Sequence, residues 1–271
     1  MGPRLFCIPA RDATTIAVIR RGPSAWCHVS RWDPAQGTLD LGAWLHGTVY
    51  PQRCDLSPDG RWLASFVLKA GARWSIGSTY LAVSRLPWLT ALAAWETCGT
   101  WTRGLTFVDD RERLDPGEPQ AGDIGQMRRR FGLAGTRAES FAVERRHGWT
   151  ETADTPPRSH ADAWDEQREV IMEKARPGGG RLMVRGRYAA FRDMGPAWGA
   201  PRYALDEAGH HELEGVQWAD WDASGRLLVA TTKGALEVRA EPFDAASAVW
   251  RYDLGPLRPQ PTEPPAEASR W

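Results

Sequence analysis

The chain of 271 residues contains no asparagine, and only Lys69, Lys174 and Lys233 are lysines, against 31 arginines. The missing asparagine excludes sites that need an Asn side-chain amide as a metal ligand or oxyanion donor. Both biases are typical of a GC-rich coding sequence, so we expect a bacterial source.

Neither sign of charge is in excess, because 34 basic residues balance 34 acidic residues. The chain therefore lacks the basic footprint of proteins that bind nucleic acid or anionic membranes. No run approaches the ~18 apolar residues of a membrane span, and Met1–Cys7 lacks the apolar region of a signal peptide. We expect a cytoplasmic protein with neither a nucleic-acid partner nor a membrane partner.

Cysteine is also scarce, and the four residues Cys7, Cys27, Cys54 and Cys98 are far apart in sequence. No pair has C-x-x-C spacing, which excludes a zinc ribbon or a thioredoxin-like motif. We expect buried free thiols, as in a reducing compartment.

Short apolar runs between turn signals make up most of the chain, and few stretches have a helical period, which predicts an all-β fold. Thr14–Ile19 is β-branched, and the evenly apolar run Arg61–Leu68 indicates a strand buried on both faces. The turn at 176–180 predicts a hairpin between Glu169–Glu173 and Arg181–Arg185.

Four stretches differ from this pattern. Leu89–Glu96 is alanine-rich and predicts a turn or two of helix. Glu139–Arg146 and Trp149–Ala153 flank His147–Gly148 as a hairpin would. Residues 111–170 as a whole predict an irregular insertion, and the five prolines after residue 255 predict a disordered tail.

One motif occurs twice, as Asp55–Ala64 and as Asp220–Val229. Each copy reads as strand, tight turn and strand, with a glycine where the turn needs a positive φ. Gly60 and Gly225 are separated by about four steps of the ~40–45 residues typical of a propeller blade. The spacing favours five blades, with six as the alternative.

The stretch Asp-Leu-Ser-Pro-Asp-Gly-Arg-Trp-Leu-Ala at 55–64 resembles the repeat of TolB-like and WD40-like β-propellers, and 218–229 resembles a degenerate copy. This resemblance implies a single propeller domain over 1–255, followed by the tail 256–271. It implies no activity, because propellers have many unrelated functions.

The residues shared by the two motif copies are interpreted as structural. They are Asp55, Gly60, Trp62, Asp220 and Gly225. An alternative is a propeller hydrolase or glycan-binding protein, in which Asp109, Asp110 and Asp222 are the carboxylates that the turn explains least. The adjacent His210 and His211 point to opposite faces of a strand, and the sequence predicts no catalytic residue, metal site or cofactor.

Tryptophan is unusually common, with 15 residues, and several lie near arginines outside the motif. Trp and Arg are enriched where proteins bind one another. The candidate partner-binding residues are Trp74, Trp88, Trp101 and Arg103, with Arg85 close to Trp88. We therefore predict a non-catalytic interaction module, a scaffold or adaptor, that is a monomer or one subunit of a hetero-complex.

Overall fold

The computed structural model describes residues 2–22, 25–69, 76–101, 104–108, 118–124, 131–135, 142–153, 168–191, 195–206 and 210–271. Within these ranges the chain forms 21 strands, one short α-helix and a few 3-10 turns. The strands make five sheets, and the strand pairs whose register is described are antiparallel. The all-β prediction is therefore confirmed.

The chain divides into two compact units by its internal contacts, and the single domain expected over 1–255 stays a prediction. One unit contains residues 1–5, 140–192 and 196–257, and the other contains 6–139, 193–195 and 258–271. We call them unit 1 and unit 2 and describe each by itself.

The first sheet has the strand order β1-β2-β3-β4. Its central strands β2 and β3 are largely buried, with five buried residues in each. The edge strand β4 is mostly accessible. The strands are β1 (Arg4–Pro9), β2 (Ile16–Arg21), β3 (Trp26–Asp33) and β4 (Thr38–His46).

The second sheet contains the first motif copy, and its central strand β7 is buried over six of seven residues, as the sequence predicted. Its order is β11-β9-β8-β7-β5, and β6 also pairs with β7. The strands are β5 (Thr48–Val49), β6 (Asp55–Leu56), β7 (Trp62–Leu68), β8 (Thr79–Arg85), β9 (Ala91–Glu96) and β11 (Ala121–Gly122).

The helix predicted over Leu89–Glu96 is wrong, because β9 pairs with β8 along its length. Four consecutive residues of β9 are buried. Alanine favours helix only weakly, and burial of this apolar segment against a neighbouring strand outweighs that preference.

The third sheet pairs β10 (Leu105–Val108) with β12 (Gly132–Gly135).

The hairpin predicted around His147–Gly148 is wrong for its first strand, because Ala142–Arg146 forms a helix, α1. His147 and Gly148 donate backbone hydrogen bonds to Glu144 and Arg145, so this turn ends a helix.

The fourth sheet has the order β13-β14-β15-β16-β17, and it includes the predicted hairpin, closed by a hydrogen bond from Arg176 N to Gly180 O. The fifth sheet, β18-β19-β20-β21, contains the second motif copy. Exposure alternates along its edge strand β21. The strands are β13 (Thr150–Glu151), β14 (Arg168–Ala175), β15 (Arg181–Phe191), β16 (Gly195–Asp206), β17 (His210–Glu212), β18 (Val216–Trp221), β19 (Leu227–Thr231), β20 (Ala235–Arg239) and β21 (Ala248–Asp253).

Each unit has its own hydrophobic cluster. In unit 1, Met172, Leu182 and Val229 are fully buried members. In unit 2, Phe66 and Leu105 are fully buried. Trp271 packs against the unit 2 cluster, although its segment was predicted to be disordered.

The segment 256–271 contains ordered contacts that its proline-rich composition does not predict. A 3-10 turn spans Ala266–Ser269, and Ala268 is completely buried. Over the described ranges, we find no helix with the length and apolar character needed to cross a membrane.

Candidate partner-binding site

The two motif copies share a local geometry that depends on glycine. Gly60 and Gly225 have φ of 73° and 75°, in the left-handed region that glycine adopts without strain. Each turn also lies against a neighbouring turn, since a Cβ at Gly60 would be 2.6 Å from Thr15 Cβ, and one at Gly225 would be 2.7 Å from Pro177 O.

Asp55 uses its buried carboxylate to join two sheets. Its Oδ1 accepts a hydrogen bond from Leu56 N at 3.0 Å, and its Oδ2 accepts from Thr106 Oγ1 and Phe107 N, both at 2.7 Å. Thr106 and Phe107 lie in β10 of the third sheet. All three donors would lose their acceptor without this carboxylate, so the role of Asp55 is structural.

Asp220 occupies the matching place in the second copy, and it too accepts a hydrogen bond from the next backbone N–H, that of Trp221, at 2.7 Å. Its second partner is the Lys174 ammonium in β14, with Nζ 2.5 Å from Oδ1. Burial raises the pKa of Asp220, and the Lys174 charge partly offsets that effect.

Asp222 is explained by its turn, contrary to the sequence interpretation. Its Oδ1 accepts from Ser224 N and Arg226 N, and its Oδ2 accepts from Arg226 Nε at 2.7 Å. Asp109 and Asp110 lie outside the described residues. Among the described residues, no three His, Cys, Asp or Glu side chains come together as metal ligands would.

Of the four candidate partner-binding residues, the structure locates the side chain of one. Trp88 follows β8 and is partly exposed. Trp101 ends the 3-10 turn Gly99–Trp101. Trp74 and Arg103 lie outside the described residues.

Trp88 lines a cavity of about 290 Å³ within unit 2. We call it the Trp88 cavity. Its walls come from three parts of the chain: the edge of the first sheet, the loop after β8 and the 3-10 turn near the C-terminus. The lining residues are Arg31, Asp40, Leu41, Arg85, Leu86, Pro87, Trp88, Glu267 and Ala268.

The backbone of β4 holds the loop that carries Trp88. Ala43 N donates to Pro87 O at 3.1 Å. Gly42 lies so close to this carbonyl that an added Cβ would overlap it. The glycine therefore allows the loop to approach the strand, and the approach fixes the loop immediately before Trp88.

The cavity is lined by both apolar and charged side chains. Leu41 is 40% exposed, an unusual exposure for a leucine in a strand, and Trp88 adds aromatic surface. Arg31 and Asp40 form a cross-strand ion pair, with Arg31 Nη2 2.6 Å from Asp40 Oδ2. Arg85 Nη1 donates to the backbone carbonyl of Glu267 at 3.3 Å.

The sequence predicted Trp88 and its neighbour Arg85 but missed Arg31, Asp40, Leu41 and Glu267. Leu41 gives no local signal, because β4 also contains Leu39, Trp44 and Leu45. The remaining residues are distant in sequence and meet through tertiary packing.

The resemblance to TolB-like and WD40-like propellers rests on the motif residues, and it remains a prediction from them. Any function must therefore be argued from the contacts described above. Comparison with protein-family models, with curated proteins and with solved structures finds no match to this chain.

Proposed function

We propose that this protein is a β-propeller-type interaction module, and that a protein partner binds it by inserting an apolar side chain into the Trp88 cavity. The observation that carries the proposal is the cavity itself, in which partly exposed Trp88 and Leu41 are bordered by charged side chains.

The sheet contacts within each unit support a propeller. In unit 2 the motif turn contacts the β1–β2 turn through a hydrogen bond from Asp12 N to Pro58 O. In unit 1 Arg176 Nε donates to Gly225 O between the corresponding turns. Successive blades of a propeller pack side by side around an axis, and such contacts between neighbouring turns fit that arrangement.

The size of the cavity favours a side chain over a small-molecule ligand. Small-molecule sites typically enclose about 300–1,000 Å³, so about 290 Å³ lies at the bottom of that range. A single apolar side chain from a protein loop would bury Leu41 and the exposed part of Trp88. Apolar anchors of this kind, surrounded by polar groups, are typical of interface hot spots.

The charged border gives the partner a definite chemistry. Arg31 and Asp40 form an ion pair, and Glu267 is exposed at the border of the cavity. We infer a partner loop with one aliphatic or aromatic residue followed by a basic residue that reaches Glu267.

Site-specific photo-crosslinking tests the proposal. A benzophenone side chain at Leu41 is expected to crosslink a defined protein from the host, and the same group at Val249, which is 60% exposed in unit 1, is the control. Capture only identifies the partner. Support requires the purified partner to bind the wild-type chain and to lose roughly 30-fold in affinity on Trp88→Ala, the effect of a hot spot.

An affinity unchanged by Trp88→Ala and by Leu41→Asp would exclude the cavity as the binding site. Crosslinking that is equally efficient from Val249 would exclude it as well.

A further inference from the structure

The segment Ala266–Trp271 lies on a surface of unit 2 formed by two side chains that face each other across the second sheet. Trp62 in β7 and Arg85 in β8 are directly opposite in the register. The Trp271 ring lies 6.0 Å from the Trp62 ring, between centroids. We call Trp62, Arg85 and the neighbouring Phe131 the C-terminal seat.

Three features of the segment are recognised by the seat. Ala268 is completely buried, so a charged side chain at this position would lose its contact with water. Trp271, three residues later, packs on Trp62, whose ring also contacts Phe131. Arg85 Nη1 donates to the carbonyls of Glu267 and Arg270, at 3.3 and 3.5 Å.

These contacts resemble those of a bound peptide more than those of a core element. The ten residues 258–267, which precede Ala268, are all exposed. Four prolines in that stretch, Pro259, Pro261, Pro264 and Pro265, have no backbone N–H to donate. The segment therefore reaches the seat through an exposed tether and is held there by two side chains and two long hydrogen bonds.

We propose that the C-terminal seat is a peptide-binding surface, which the chain occupies with its own segment and which a partner segment of the same chemistry can enter. That chemistry is a small apolar residue followed three positions later by tryptophan, with the carbonyls of the residues immediately before each of them available to Arg85. The proposal concerns a different occupant from that of the Trp88 cavity and does not depend on it.

A short tether keeps the internal segment at an effective concentration on the order of millimolar. An external segment therefore binds weakly while the internal one is in place, and binds better when the internal one is removed. Occupation of the seat also places Glu267 and Ala268 in the wall of the Trp88 cavity, so displacement of the segment would open that wall.

The probe is a fluorescein-labelled peptide with the sequence of residues 265–271, measured by anisotropy against the full-length chain. In the variant Ala268→Asp/Trp271→Ser the internal segment is expected to leave the seat, and we call it the vacated variant. This variant should bind the peptide at least tenfold more tightly than the wild type does. Glu263→Ala, in the exposed tether, is the matched control and should behave as the wild type.

Two further measurements test the specificity of the seat. A peptide with serine in place of its tryptophan should not bind. Adding Arg85→Met to the vacated variant should weaken binding of the original peptide roughly tenfold, because a charged donor to two carbonyls is lost. A folded vacated variant that binds neither peptide, or both equally, would overturn the proposal.

Hydrogen exchange of the wild-type chain keeps the proposal testable if the vacated variant fails to fold. The amides of Ala268 and Arg270, which donate within the 3-10 turn, should exchange at least 100-fold faster than those of the β7–β8 ladder. Peptide at millimolar concentration should accelerate the exchange of these two amides further, because it competes with the internal segment for the seat. Exchange of both sets at the same rate would show that the segment opens only with the whole unit, and the proposal would be wrong.

Discussion

His28 shows how burial controls the ionisation of a single side chain. It is 1% exposed in β3, and its Nδ1 lies 3.2 Å from Ser30 Oγ. Burial, with a contribution from the positive charge of Arg20, lowers the pKa of His28 to about 4. The folded chain therefore holds a neutral imidazole at a pH where an unfolded chain would be protonated.

This difference predicts a loss of stability in mild acid. As the pH falls below 6.5, the unfolded state takes up a proton that folded His28 accepts only near pH 4. The free energy of unfolding should fall by about 1.5 kcal/mol between pH 6.5 and pH 5 from this residue alone. Urea unfolding of His28→Gln should lack that part of the pH dependence. Thr38→Ala, at an exposed position without a titratable group, is the control and should retain the wild-type slope.

The four cysteines differ sharply in accessibility. Cys7, Cys27 and Cys54 are buried, as the sequence predicted, but Cys98 is exposed. Burial raises the pKa of Cys54 to about 12, so its reactive thiolate is scarce at neutral pH.

Thiol titration with an aromatic disulfide reagent at pH 8 should therefore show one fast thiol in the folded chain and four in denaturant. Cys98→Ser should remove the fast phase, whereas Cys54→Ser should leave it unchanged. Two or more fast thiols in the folded wild type would contradict the burial of the other three.

At the scale of elements, Asp55 connects β6 to β10 through one carboxylate with three donors. Asp55→Ala leaves these buried donors without an acceptor, each at a cost of roughly 1–3 kcal/mol. We expect a loss of at least about 3 kcal/mol in the free energy of unfolding, measured in urea. Asp40→Ala, which removes an exposed ion pair, should cost at most about 1 kcal/mol. Equal effects of the two substitutions would contradict the assigned role of Asp55.

The contact between β4 and the loop after β8 predicts a second effect. Gly42→Ala places a Cβ against the Pro87 carbonyl, and overpacking of this kind typically costs about 1–3 kcal/mol. Because the loop would have to move, the Trp88 fluorescence environment and binding at the Trp88 cavity should change together. Thr38→Ala, at an exposed position of the same strand, should change neither.

At the scale of the whole molecule, the propeller proposal requires that all sheets unfold together. Leu63 in unit 2 and Leu182 in unit 1 are both fully buried, and truncation of either to alanine should cost about 2–5 kcal/mol. In one cooperative domain, both variants lower the midpoint of the same single transition, followed in urea by circular dichroism. Two transitions, each sensitive to only one variant, would indicate independent domains.

Local patterns predicted the sheets well, since Arg61–Leu68 and the hairpin around residues 176–180 depend mainly on composition and turn chemistry. Leu89–Glu96 was wrong because the neighbouring strand, not alanine propensity, decides its conformation. The sequence proposed Trp88 for partner binding but did not predict the Trp88 cavity, since its walls come from positions as distant as Leu41 and Ala268. The proline-rich composition after residue 255 predicted disorder. The contact between Trp271 and Trp62 could not be predicted from it, because that contact depends on tertiary packing.

The alternating exposure of β21 has a consequence for how the protein behaves in concentrated solution. An edge strand that carries the exposed Val249 could template the addition of another chain. The residues two and four positions later on the same exposed side are Arg251 and Asp253. A second copy that paired in register would bring like charges together beside Val249, so these two side chains act as gatekeepers against edge-to-edge aggregation.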